Sequence, residues 1–202
     1  MARRPRLSLR LRFPHQTKGV IVGSLLKSYT RHKTFISYHH ADEAEVAAFI
    51  DHFDHDHDVL ISRGIGASMA GDVIDSTNAD YIKQRIRQLY LRDSSVTLVM
   101  VGAETWGRRF VDWEVAASLR NTATSSPNGL LAITLPSIAN STRTLPARVD
   151  DNVDGTDGYA RWMKYPTSKL DLGQMIDAAY TRRTTHASVV DNSRALRQRN
   201  AS

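Results

Sequence analysis

Ser95-Val96-Thr97-Leu98-Val99-Met100-Val101-Gly102 reads as a strand ending in glycine, and Arg108-Arg109-Phe110-Val111-Asp112-Trp113-Glu114-Val115-Ala116-Ala117-Ser118-Leu119, one short loop later, reads as a helix. The strand is a continuous apolar run rather than an alternating one, as burial on both faces of a parallel sheet requires. On the helix, Val111, Val115 and Ser118 form a stripe suited to packing on a sheet, while Phe110 precedes Glu114 by one turn and shares its face. Glu114 is therefore an acid inside an apolar pattern, just beyond the carboxyl end of a strand. Open α/β sheets bind their ligands in that place.

The same alternation extends in both directions. Thr34-Phe35-Ile36-Ser37-Tyr38 is a short strand, and residues 41–53 have helical spacing with Val46, Phe49, Ile50 and Phe53 on one face. Residues 59–62 make a second strand, followed by a glycine-containing loop over 63–72 that suits a lid or self-association. A helix over 78–91 has Asn78 as its N-cap. Past the Glu114 helix, residues 129–135 form a strand, 136–158 a long loop, 162–165 a fifth strand, and 170–180 a closing helix. The expected fold is α/β: a mostly parallel five-stranded sheet with helices on both faces, strands 34–38 and 95–101 adjacent at its centre.

The formal charge of +6 in 202 residues divides unevenly. Residues 1–33 carry nine Lys/Arg and no acid, and residues 181–202 carry five Arg and one Asp, which leaves −7 for residues 34–180. The domain is acidic and its ends are basic, so no folded basic face for nucleic acid is expected. The sequence divides into a basic extension (1–32), a domain (33–180) and a basic C-terminal tail (181–202), read as frayed; deleting 1–18 and 190–202 is expected to change thermal stability little. No apolar run reaches membrane-spanning length, and the absence of cysteine fits a reducing, cytoplasmic setting.

Phe35-Ile36-Ser37-Tyr38-His39-His40-Ala41-Asp42 resembles the first strand and loop of TIR domains. Tyr81-Ile82-Lys83, Ile86-Arg87, Ser94 to Val99, Gly102, Thr105 and Val111-Asp112-Trp113-Glu114 more narrowly resemble the TIR-like family that contains the Thoeris anti-phage protein ThsB. The resemblance runs from about Thr34 to Ile133 and loosely to Tyr180. It implies a flavodoxin-like fold and, in catalytic members, cleavage of NAD at the nicotinamide–ribose bond, with NAD+ as substrate and no cofactor. The family's essential acid lies on the helix after the third strand, which Glu114 matches. Many members have a Trp four residues before it, where Phe110 stands here, keeping a stacking face without the indole N–H. The resemblance further implies a diffusible ADP-ribose-derived product, cyclic or linear, that reaches a separate effector, and association with other TIR-like chains. The alternative is a non-catalytic interaction module in which Glu114 is structural.

The residue types suit this chemistry by themselves. Losing nicotinamide leaves positive charge on the ribose, and a carboxylate stabilises that oxocarbenium-like state without a second acid, because the leaving group is already good. Glu114 is the expected catalytic residue. Ser37, Tyr38 and His39 at the first strand's end, with Phe110 and Trp113 on the helix, are the expected substrate contacts. Adjacent His39 and His40 cannot both face one way on a strand. No metal is expected: the run His52, Asp54, His55, Asp56, His57, Asp58 matches no compact ligand motif. Ser37 lacks a nucleophile-elbow context, and Met100-Val101-Gly102-Ala103 lacks the phosphoacceptor Asp of a receiver domain.

Overall fold

The computed structural model describes residues 29–55, 61–64, 71–142 and 144–201. The basic stretch 1–28, most of the glycine-containing loop and His/Asp-run residues 56–58 lie outside these. Five strands, β1 (Lys33–Ser37), β2 (Ile61–Gly64), β3 (Val96–Val101), β4 (Gly129–Thr134) and β5 (Arg161–Met163), form one sheet in the order β2-β1-β3-β4-β5. Every pairing is parallel, and β1 lies beside the central β3 with Phe35 opposite Thr97 and Ser37 opposite Val99. The helices are α1 (Glu43–Ile50), α2 (Gly71–Ile74), α3 (Ala79–Leu89), α4 (Arg109–Ser118), α5 (Ala147–Asp150) and α6 (Lys169–Thr185). Asn78 caps α3 as expected, accepting from the amides of Asp80 and Tyr81.

Strand alternation sorts the core onto two faces. Ile36, Leu98, Met100, Leu131 and Ile133 pack with Val46 and Phe49 of α1 and with Leu172 and Ile176 of α6. Val99, Val101, Leu130 and Ala132 meet Val111 and Val115 of α4, and Phe35 meets Ile82 and Ile86 of α3. Both faces being covered explains the continuous apolar strands. Helix α6 lies so close to the sheet that a Cβ at Gly129 would meet the Ala179 carbonyl.

Some elements differ from expectation. The loop over 136–158 contains the short α5, whose Arg148 is 1% exposed, and α2 occupies part of the expected 63–72 loop. The larger correction concerns the C-terminal run. Helix α6 continues to Thr185, and residues 191–201 cross α4 as a strap rather than fraying. Arg197 N–H donates to Asp112 Oδ2 at 2.8 Å, the Trp113 indole N–H donates to the Arg197 carbonyl at 2.9 Å, and Leu196 is buried beside Phe35 and Trp113. Asn200 Oδ1 accepts the Arg109 amide, supplying the cap that Arg108 does not, and Ala201 N–H donates to the Gly107 carbonyl. The tail looks polar because, apart from the buried Leu196, its contacts are made by backbone groups and polar side chains.

Candidate functional site

The site forms at the carboxyl edge of β1 and β3. Ser37 shares a sheet face with Phe35 by alternation, which turns it toward α4. Its hydroxyl donates to Glu114 Oε2 at 2.5 Å. Glu114 is 7% exposed, and burial pushes its carboxyl up to about 8 against the smaller opposing effect of the Ser37 hydrogen bond. Around neutral pH this group is mostly a neutral acid. Neither Arg108 nor Arg109 bonds it: Arg108 pairs with Glu104, and the Arg109 guanidinium lies 4.7 Å and 4.9 Å from the Phe110 and Trp113 ring centroids.

Tyr38 packs toward the α1 and α6 side of the sheet, yet remains near enough to Glu114 to sense its charge. Burial first, then the charges of Glu43 and Glu114, raise its phenol pKa. His39 is buried and His40 exposed, their rings edge to face at 4.1 Å. Burial, reinforced by Arg108 and His40, lowers the His39 pKa, which favours neutral imidazole; its Nε2 lies 3.5 Å from Glu104 Oε2.

A second layer braces this edge. Thr105 Oγ1 accepts the Gly102 amide at 2.9 Å and donates to Asp42 Oδ2 at 3.2 Å. Burial raises the Asp42 carboxyl, partly offset by Thr105. Gly102 is where β3 approaches this carboxylate, and a Cβ there would strike it. The bracing roles of Asp42, Glu104 and Arg108 were not evident from sequence, though all follow the ends of β1 or β3, the one signal available.

Ser37, Tyr38, His39 and Glu114 therefore gather at one edge. Phe110 is half-buried on the α3 side of α4, its ring 5.7 Å from Trp113. Ser37 and Trp113 depart from their expected places as substrate contacts: they are 1% and 2% exposed, with the Ser37 hydroxyl committed to Glu114 and the Trp113 indole N–H to the strap. At the run after α1, Asp54 lies 3.9 Å from Arg31 and the His52 ring stands edge-on to Phe53. Among the described residues no helix is long and apolar enough to cross a membrane.

No curated protein matches the chain. The family model of the TIR-like domain of the Thoeris protein ThsB matches residues 35–140, from β1 through α4 and β4 and past the end of the sheet's fourth strand. With a parallel sheet of the expected order and the acid on the helix after β3, the chain belongs to the TIR-like domain family of the Thoeris anti-phage protein ThsB.

Proposed function

We propose that this protein is an NAD-processing enzyme of a Thoeris-type defence system, acting in the cytoplasm and cleaving the nicotinamide–ribose bond to make an ADP-ribose-derived signal for a separate effector. The observation that carries the reading is the buried Glu114 carboxyl, bonded to Ser37 at the ligand-binding edge of the sheet. NAD+ presents a cationic nicotinamide. A positive charge within a few ångströms of a carboxyl favours its ionised form, so substrate entry would release the Glu114 proton to solvent and leave an anion facing the ribose. The C1′–N bond then breaks with its electron pair going to nicotinamide, which departs neutral. The ribosyl cation, held by the Glu114 carboxylate, is captured by water, which loses a proton, or by a nucleophile of the same molecule. In this reading Tyr38 and neutral His39 contact ribose or phosphate oxygens, and Phe110 offers an aromatic edge on the same helix.

Nicotinamide release from NAD+, followed across pH by mass spectrometry in extracts of phage-infected cells expressing the protein, tests this. Because free-enzyme kcat/KM follows the ionisation of an essential acid, its rising limb is expected near pH 8. Ser37→Ala removes a hydrogen bond that favours the carboxylate, so the limb should move to higher pH and activity at pH 7 should fall about tenfold. Absence of nicotinamide release in wild type, with assembly onto another TIR-like chain instead, would replace catalysis by an interaction role.

A further inference from the structure

At the opposite, amino-terminal edge of the sheet, a cleft of about 440 Å³ opens between the C-terminal end of α3 and the turn after α4. Arg87, Arg92 and Arg120 line it, and Asp93 is the one carboxylate among its lining residues. Arg87 is locked in the wall. Its guanidinium donates to the carbonyls of Ser126 at 2.7 Å and of Ala117 and Ser118 at 3.3 Å, the last two belonging to the final turn of α4. Arg183 stands behind it, donating to the Pro127 carbonyl. Burial, then the charges of Arg183 and Arg120, push the Arg87 pKa down, so the cations here repel one another. Among the described residues, neither Arg92 nor Arg120 has a carboxylate partner.

The wall also holds an unmet hydroxyl. Ser125, fixed by a bridge in which it exchanges backbone hydrogen bonds with Thr122, lines the cleft with its Oγ buried and unpartnered. A buried donor without an acceptor is costly, the neighbouring cations outnumber the one carboxylate of the lining, and one ligand answers both. That ligand must be anionic, rich in acceptors and matched to guanidinium forks, which describes a phosphate group.

We propose that this cleft is a binding site for the phosphate groups of a small solute, separate from the Glu114 edge and independent of the reaction there, with Arg92 and Arg120 as the ligating cations, Ser125 as hydroxyl donor and Arg87 as the fixed electropositive wall. The full chain is titrated with inorganic pyrophosphate at constant ionic strength, in parallel with ADP-ribose, and binding is read by thermal shift and isothermal calorimetry. Saturable 1:1 binding is expected for wild type and for Glu114→Gln, with affinity falling at least tenfold in the double variant Arg92→Gln/Arg120→Gln. Among the described residues neither substituted side chain has a carboxylate partner, and both face other cations, so the double variant should melt no lower than wild type without ligand. Tighter binding of ADP-ribose identifies a nucleotide as the source of the phosphates, and equal binding identifies the phosphates alone. The proposal is overturned if wild type shows no saturable binding, if the double variant binds equally well, or if only oligonucleotides bind with affinity growing with length.

Discussion

Glu114→Gln is expected to stabilise the protein at pH 8 and to leave it without activity. The folded-state pKa of about 8 lies above the ordinary glutamate value of 4.5. Between those values the folded chain keeps a proton that the unfolded chain gives up, so stability is fully present below about pH 4.5, declines as pH rises and levels off above 8. At pH 7 the loss is on the order of 3 kcal/mol. Gln still accepts from Ser37 and carries no proton to lose, so the variant should melt higher than wild type at pH 8 and close to it at pH 4.5. If Glu114 acts as proposed, removing its anion should lower the rate of NAD+ cleavage about a hundred- to a thousandfold. Paired melting curves at the two pH values and nicotinamide release together check this. Full activity in the variant would remove Glu114 from the mechanism; an equal melting difference at both pH values would show that its carboxyl is not held neutral.

Arg148→Ala should produce the largest loss of stability. Arg148 Nε and Nη2 donate to the two Asp112 oxygens at 3.0 and 3.4 Å, with both residues buried. The same guanidinium donates to Asn192 Oδ1 and to the Ala195 carbonyl, tying α5, α4 and the strap together. Its removal leaves Asp112 buried and charged with the Arg197 amide as remaining donor, a change that costs about 3–5 kcal/mol. In a chain of this size the melting temperature should fall by roughly 10 °C. Urea unfolding measures it, and a loss below about 1 kcal/mol would mean that Asp112 is rehydrated at little expense.

The sheet was legible because buried parallel strands have a one-dimensional signature: Val96–Val101 and Gly129–Thr134 are continuous apolar runs, and Asn78 marks a helix start. Glu114 and Ser37 were legible because each sits at a strand's end or one loop beyond. The strap was not. Its attachments are the Arg197 and Ala201 amides, the Arg197 and Ala195 carbonyls and the polar side chains of Asn192 and Asn200, which give no hydrophobic period. The misplacement of Trp113 follows from this. Without the strap, an indole beside Glu114 reads as exposed to ligand; with it, the indole has a carbonyl to hold. The pairing of Asp112 was hidden for a similar reason: Arg148 lies 36 positions away.

The strap also bears on the order in which the molecule assembles. Helix α4 receives its first-turn cap from Asn200, 91 residues downstream, and the Trp113 anchor spans 84. Closing loops of that length must follow the nearer pairings of β1, β3 and β4, so the helix bearing Glu114 is framed by the sheet early and secured late. Pulsed hydrogen exchange during refolding should find the Arg109 amide protected after the amides of β3 and β4, and simultaneous protection would refute this sequence of events. On a growing polypeptide the consequence is temporal: the acid is set in its final frame only once the downstream segment has been synthesised, so an incomplete chain can possess the sheet before it possesses a finished Glu114 helix.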